Sequence, residues 1–367
     1  MRSHMKPIHP PIAMDGGIVN AHPRRGAVTE DENGVSEIIG VVMLLAMVVS
    51  ILAIVMVALK PYVDDFDDNK NWSSARVLSE QIQSRIDVVG SAPNGSGVAF
   101  TLPLVTSTLR SLDMVETWTI QADLFGLDRV EVNIVNATAF EISSQNETIS
   151  SVEVSNDGIL RTYNVTSIGS AHSFDGEQNF GRELIIDVKN ADGKSIHRLV
   201  RLQLSGLQMN TDLNIGVHNT AIINHGRMSR MPNNAWNIEK FPPLNVEETF
   251  SGQRRVTLML SDVQTTASLP SGKSSTLEII SRGPLTLFDD EARNLRFSVD
   301  NQLHSNINPQ FTELWTGDHL VHQATGDTSA YFGFAPWGRS SGVDGIGLFP
   351  RDEAILLEIG LLRVEVS

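Results

Sequence analysis

The chain of 367 residues contains no cysteine. This absence excludes disulfide frameworks, thiolate metal sites and cysteine nucleophiles. Aromatic residues are scarce, at 6% of the chain, and acidic residues outnumber basic ones by 43 to 28, which gives a formal net charge of −15. Because a negatively charged surface repels the phosphate backbone, we expect no nucleic-acid partner.

Catalytic and cofactor motifs are also lacking, since no phosphate-binding loop, dinucleotide fingerprint or paired-carboxylate pattern occurs. Residues 338–342 match the nucleophile-elbow pattern, but that hydrolase motif needs a later histidine, and the last one, His322, precedes it. His319 and His322 have the spacing of a helical metal site without a clear third ligand. We therefore predict a protein without enzymatic activity, cofactor or metal.

One segment is strongly apolar. Ile38 to Leu59 is a run of 22 residues without a charged side chain, and Ser50 is its only polar one. At about 1.5 Å per residue such a helix is roughly 33 Å long, slightly more than the hydrocarbon core of a bilayer. The run is too long for the apolar region of a cleaved secretory signal. It predicts a single transmembrane helix, with the lipid bilayer as partner.

The charges that flank this run do not decide its orientation. Arg24 and Arg25 precede it, whereas Lys60, Lys70 and Arg76 follow it. The positive-inside rule is therefore uninformative. An orientation with the N-terminus inside rests on the residues that begin the helix.

Val35-Ser36-Glu37-Ile38-Ile39-Gly40, preceded by Gly34, leads directly into the apolar run. This junction resembles the N-terminal region of archaeal type IV pilin-like proteins, in which a Gly or Ala precedes Val-Ser-x-x-Ile-Gly. The family usually has a basic residue just before the glycine, whereas Asp31, Glu32 and Asn33 stand there in this chain. An uncleaved signal-anchor is the alternative interpretation.

The resemblance implies that a prepilin peptidase cleaves between Gly34 and Val35 on the cytoplasmic side. The apolar helix then stays on the mature protein, anchored in the cell membrane with its C-terminal domain outside. A free amine at Val35, on the same or a neighbouring subunit, would neutralise the Glu37 carboxylate beside the bilayer. Small residues in the run, which permit close approach of helices, predict self-association through this segment; they are Gly40, Ala46, Ser50 and Ala53.

A second helical segment follows the membrane run. Leu78, Ile82, Ile86 and Val89 recur at helical spacing, which predicts an apolar face that docks on the rest of the protein. Ser73 or Ser74 is a candidate start, although continuity with the membrane helix stays open, and Gly90 is the candidate end.

From Gly97 onward, short alternating apolar runs predict β-strands. They are Val130–Val135, Leu184–Val188, Arg255–Leu260, Thr276–Ile280, Leu295–Val299 and Ile355–Val366. Two hairpins carry Asp-Gly turn chemistry, at Asp157-Gly158 and Asp192-Gly193. The predicted fold is an N-terminal transmembrane α-helix plus a mainly β exterior region, an antiparallel β-sandwich of one or two units.

These patterns divide the chain as follows: 1–34, a disordered leader; 35–61, the transmembrane helix; 62–92, a stalk or docking helix; 93–210, a β-rich domain; and 211–367, a second β-rich domain or a continuation of the first. The boundary at 210 rests on a weak composition signal between Gly206 and Gly226.

The first half of the exterior region, after the membrane run, also holds the Asn-x-Ser/Thr triplets that accept glycans in exported proteins. They are Asn71, Asn94, Asn136, Asn146 and Asn164. Their number is close to chance for this content of Asn, Ser and Thr, but their clustering is typical of an exposed, glycosylated surface.

The function predicted first is a membrane-anchored type IV pilin-like surface protein, a structural or adhesive subunit or a minor pilin. The alternative is a signal-anchored surface receptor or adhesin that binds a ligand or glycan and never polymerises.

Overall fold

The structure is a computed structural model. It describes residues 32–103, 107–125, 130–144, 149–165, 172–175, 179–211, 219–223, 229–230, 237–238, 242–266, 269, 275–301, 332–336, 344–348 and 354–367. The chain divides into two compact units, Met1–Pro61 and Tyr62–Ser367. Of the predicted leader, residues 1–31 lie outside the described residues.

Helix α1 runs from Glu32 to Gly90. It begins before the apolar run, which is rich in the good helix formers Leu, Met and Ala. Pro61 lies inside the helix. Because proline has no N–H, the carbonyl group of Val57 loses its helical donor at the boundary between the two units.

In the second unit α1 buries one face. Its buried apolar side chains recur every three or four residues, as an amphipathic helix requires; they are Trp72, Ala75, Leu78, Ile82, Ile86 and Val89. The predicted docking face is therefore confirmed. Of the two alternatives for its start, continuity with the membrane helix is confirmed and a start at Ser73 or Ser74 is wrong. Both serines lie inside the continuous helix, where Ser74 Oγ donates to the carbonyl oxygen of Lys70 at 3.0 Å.

Gly90 ends the helix, as predicted. A Cβ atom at this position would lie 2.8 Å from Cβ of Leu362. Only glycine therefore permits the last turn to come this close to the strand that contains Leu362.

The strands described after the helix are β1 Gly97–Leu102, β2 Ser107–Asp123, β3 Val130–Ile134, β4 Ala139–Ser144, β5 Ile149–Asn156, β6 Ile159–Asn164, β7 His172–Asp175, β8 Glu183–Asn190, β9 Ser195–Thr211, β10 Asn219–Ile223, β11 Ser229–Arg230, β12 Asn237–Ile238, β13 Leu244–Glu248, β14 Arg254–Thr265, β15 Ser275–Ser281, β16 Leu285–Asn301, β17 Phe332–Pro336, β18 Asp344–Leu348 and β19 Ile355–Val366. Each predicted run lies in one of them, except for Val135, which follows β3. Both predicted hairpins form, β5–β6 and β8–β9, and Asp157, Gly158 and Gly193 have positive φ at their turns.

Fourteen strands belong to one hydrogen-bonded sheet that folds into two layers. The first layer contains β1, β15, β19, β14 and β13, and the second contains β10, β2, β9, β8, β5 and β6, with β18 and β17 added beside the second half of β16. Strand β16 joins them, because its first half pairs with β19 and its second half with β2. The register shifts between Arg293 and Arg296, and Asn294 between them has φ +51°.

Pairing is antiparallel throughout the described strands, with one exception. Strands β14 and β19 are parallel from the pair Arg254–Ile355 to the pair Thr265–Val366. The C-terminal strand therefore lies inside the first layer, with β14 on one side and β15 and β16 on the other. The predicted N-terminal helix with a mainly β, sandwich-like region is confirmed.

Three apolar cores hold the second unit together. One lies between the two layers and includes Trp118, Leu202, Leu258 and Leu357. Another contains the docked face of α1 and the ends of β2, β9, β14, β15 and β19. The third lies between the second layer and a separate sheet in the order β3-β4-β7. The β-rich region thus has three layers of sheet, and its strands pair across residue 210, as β1 does with β15 and β2 with β16.

Candidate functional site

The apolar run presents an uninterrupted hydrophobic surface. All of its large side chains from Ile38 to Leu59 are between 43% and 74% exposed. Its single polar side chain is satisfied within the helix, because Ser50 Oγ donates to the carbonyl oxygen of Ala46 at 2.7 Å. This helix is long and apolar enough to cross a membrane. A surface of this kind needs lipid or other apolar helices around it.

The predicted processing residues lie at the start of α1. The backbone of Gly34 and Val35 is helical, within one turn of the first residue, Glu32. Glu37 follows within the next turn, and its side chain is exposed. Helix ends fray, and glycine weakens a helix by about 1 kcal/mol relative to alanine, so we expect the turn that contains the Gly34–Val35 bond to open readily.

The predicted glycan acceptors fall in different environments. Asn94, in the turn after α1, and Asn136, between β3 and β4, are exposed, and Asn164 is exposed at the end of the edge strand β6. Asn71 is half-buried inside α1 beside the buried Trp72. Asn146 lies outside the described residues.

A buried polar network, which sequence reasoning missed, lies between the second layer and the three-stranded sheet. His197 Nδ1 is 2.7 Å from Asp123 Oδ1, and its Nε2 is 3.0 Å from Gln121 Oε1. Gln121 also exchanges hydrogen bonds with the backbone of Val132, and Asn294 Nδ2 donates to Asp123 Oδ2 at 2.6 Å. The network links β2, β9, β3 and β16.

This His–Asp pair resembles half of a catalytic triad, but its surroundings do not suit catalysis. Both ring nitrogens of His197 face protein oxygens, and the imidazole is completely buried. A general base needs its second nitrogen within reach of a nucleophile. The pair instead satisfies polar groups that the packing of two sheets encloses.

A second polar cluster lies where the two layers meet. The Asp262 carboxylate accepts hydrogen bonds from the backbone N–H of Ser205 at 2.7 Å and from Gln264 Nε2 at 2.6 Å. Ser205 Oγ in turn contacts Asp113 and Arg182, which form an ion pair with each other. Burial raises the pKa of Asp262 above its usual value, although these donors and Arg182 oppose the shift.

The raised pKa of Asp262 predicts a pH dependence of stability. A carboxyl group whose pKa is higher in the folded state stabilises the fold most fully below its unfolded pKa, and this contribution is lost as the pH rises through the folded pKa. Replacing Asp262 with Asn removes the titration. We therefore expect the unfolding free energy of Asp262→Asn, minus that of the wild type, to increase from pH 4 to pH 8. Urea unfolding in detergent, followed by tryptophan fluorescence, measures this difference, and parallel pH profiles would contradict it.

One hairpin presents an aromatic side chain to solvent. In the turn between β13 and β14, Thr249 N–H and Oγ1 both donate to the carbonyl oxygen of Gln253 at 2.8 Å, and Gly252 N–H donates to the carbonyl oxygen of Thr249 at 2.9 Å. Phe250, held in this turn, is completely exposed. Strand β14 begins at Arg254, next to this turn, and Val263 farther along it packs against α1. At about 3.3 Å per residue, these two residues are about 30 Å apart. The turn therefore lies at the end of the sandwich remote from the docked helix.

The motifs at residues 319–322 and 338–342 lie outside the described residues. Within the described ranges, no three His, Asp or Glu side chains come together in a way that could hold a metal ion. No family model, curated protein or solved structure matches the chain.

Proposed function

We propose that the chain is a type IV pilin-like surface protein, a structural or adhesive subunit or a minor pilin. It is anchored in the cell membrane by Ile38–Leu59 and carries its β-rich region outside. Its role is structural and not catalytic.

The observation that carries this proposal is the composition of α1. One helix joins an exposed, uncharged run to an amphipathic half that docks on a β-rich body. The resemblance at Gly34–Gly40 implies such a bipartite helix, with a membrane half and a docking half. The whole apolar run is exposed in the single chain, so another apolar environment must cover it. We propose that lipid covers it before assembly and that the helices of neighbouring subunits cover it afterwards.

The proposal assigns roles to the residues at the start of the helix. A prepilin peptidase cleaves between Gly34 and Val35, and the Val35 amine pairs with the Glu37 carboxylate of the same or a neighbouring subunit. This pairing offsets the cost of a carboxylate next to the bilayer core. Exposure of the Glu37 side chain supports its availability to a neighbouring chain.

Self-association through the membrane run is testable because the chain has no cysteine. Ala46, Ser50 and Ala53 follow one another at spacings of four and three residues and share one face of the helix. Leu52 lies about 200° around the helix from Ser50. We expect Ser50→Cys to form disulfide-linked dimers in membranes several-fold more efficiently than Leu52→Cys, as measured by non-reducing electrophoresis after mild oxidation. Equal, low crosslinking of both variants would contradict self-association through this face.

A second candidate function is a tethered adhesin that never polymerises, and Phe250 favours it. A hydrogen-bonded turn that holds one aromatic side chain in water, at the end remote from the docked helix, suits insertion into an apolar partner surface. We expect Phe250→Ser to reduce the adhesion of cells to octadecyl-coated glass, while the unfolding free energy changes by less than about 0.5 kcal/mol.

Ile159→Ser is the matched control for this adhesion assay, because Ile159 is also an exposed apolar residue next to a hairpin turn. It should leave adhesion unchanged. An equal effect of both variants, or no effect of either, would rule out the turn at Phe250 as the adhesive surface.

A further inference from the structure

The loop between β3 and β4 holds a glycosylation triplet in an ordered conformation. Asn136 Oδ1 accepts hydrogen bonds from the backbone N–H of Thr138 at 2.8 Å, from Thr138 Oγ1 at 3.1 Å and from the backbone N–H of Ala139 at 2.8 Å. The backbone of the loop is fixed as well, because Phe180 N–H donates to the carbonyl oxygen of Ala137 at 2.7 Å. Asn136 itself is exposed.

This geometry matters because acceptance depends on a hydroxyl group two residues after the asparagine. At Asn136 that hydroxyl already contacts the carboxamide. With three donors on Oδ1, the carboxamide is fixed in orientation and electron density is drawn from its nitrogen, which makes an Nδ2 proton easier to remove. Among the described residues, Nδ2 donates to no protein acceptor, so it is available in the folded protein.

Asn71 provides the contrast. It lies inside α1, where residues two apart do not face each other, so the hydroxyl of Ser73 cannot reach its carboxamide. Asn71 is also half-buried, and Trp72 between the two residues of the triplet packs in the core. Modification there would require the docked half of the helix to come away from the sheet.

We propose that Asn136 is an N-glycan acceptor that is modified in the folded protein, and that Asn71 is not. The donor is a sugar linked through phosphate to a membrane lipid, and a transferase brings it to the loop. Asn136 Nδ2 forms a bond to the anomeric carbon while the bond from that carbon to the phosphate oxygen breaks. The lipid phosphate leaves with the electron pair, and the Nδ2 proton passes to a base of the transferase. The inference rests on the proposed function in one respect, the placement of the β-rich region outside the cell.

Peptide mass spectrometry of the full-length protein, isolated from the membranes of its own cells, tests the inference. Cleavage after glutamate releases residues 132–141, which contain Asn136 and no other triplet, and trypsin releases residues 71–76, which contain Asn71. We expect a glycan on the first peptide and none on the second. Asn136→Gln and Thr138→Ala should abolish the modification, whereas Thr138→Ser, which keeps the hydroxyl group, should retain it.

An unmodified Asn136 in protein that begins at Val35, or that carries a glycan at Asn94, would overturn the inference and leave the proposed function intact. Modification of Asn71 to the same extent as Asn136 would also overturn it, because folding would then not select the site. Protein that keeps its leader, lacks every glycan and is protected from protease added outside the cells would overturn both the inference and the proposed placement.

Discussion

Arginine at both Val48 and Leu52 is expected to remove the protein from the membrane fraction. These residues lie in the middle of the apolar run, and both are exposed on the helix. An arginine at the centre of a transmembrane helix costs about 2.5–3.5 kcal/mol on insertion scales, so the pair costs about 5–7 kcal/mol. The remaining Leu, Ile and Val residues each favour insertion by only about 0.3–0.6 kcal/mol, so the penalty cancels most or all of their combined contribution, and the helix should fail to insert.

The measurement is immunoblotting of membrane pellets after a carbonate wash. Arginine at both Val77 and Val88 is the matched control, because these exposed residues lie in the second unit, outside the apolar run. The control should stay in the pellet, like the wild type. A Val48→Arg/Leu52→Arg protein that stays in the washed pellet would show that Ile38–Leu59 is not the anchor.

Replacing Ile82 with alanine should strongly destabilise the second unit, Tyr62–Ser367. Ile82 is completely buried in the core between α1 and the strand ends. Shortening a buried isoleucine to alanine removes apolar contact and leaves a cavity, which costs about 2–5 kcal/mol. Urea unfolding in detergent, followed by tryptophan fluorescence, is a suitable measurement because Trp72 and Trp118 lie in two of the cores.

Val88→Ala is the control for Ile82→Ala. Val88 lies on the same helix but is 71% exposed, so its truncation should change the unfolding free energy by less than about 0.5 kcal/mol. Equal effects of the two substitutions would mean that the helix is not docked through the face that contains Ile82.

The sequence predicted the features that depend on local patterns. The membrane-spanning capacity of α1 followed from the uncharged length of Ile38–Leu59, and the docking face followed from the spacing of Leu78, Ile82, Ile86 and Val89. The β5–β6 hairpin followed from Asp157-Gly158, since both residues adopt the positive φ that such a turn needs. The start assigned to Ser73 or Ser74 failed because helical backbone continues through Pro61 and the segment after it.

The pairing of strands that are distant in sequence could not be predicted from the sequence. Nothing local to Ile355–Val366 indicates that this strand pairs in parallel with β14, or that β16 divides its length between two partners. The polar network at His197 was missed for a related reason. Gln121 and Asp123 alternate with the buried Ile120 and Ala122, which predicts a solvent-facing side for β2, but the three-stranded sheet covers that side.

Some features of the candidate site could be predicted from the sequence, and others are visible only in the structure. Gly34, Val35 and Glu37 were identified from a short motif, and the structure adds their helical backbone and the exposure of Glu37. The triplet sequences do not indicate that Asn136 and Asn71 differ as glycan acceptors, because this difference depends on whether the hydroxyl group can reach the carboxamide in the folded protein. The exposed turn at Phe250 likewise emerges only from the packing of the sheet around it.

The N-terminus of the membrane-bound protein tests the proposed function most directly. Mass spectrometry of protein isolated from cell membranes should find a chain that begins at Val35 and lacks residues 1–34. Gly34→Leu should retain the leader, whereas Val42→Leu, at an exposed position of the apolar run outside the Gly34–Gly40 motif, should be processed normally. Wild-type protein found in the membrane with its leader intact would contradict pilin-type processing. It would support the alternative interpretation, an uncleaved signal-anchor.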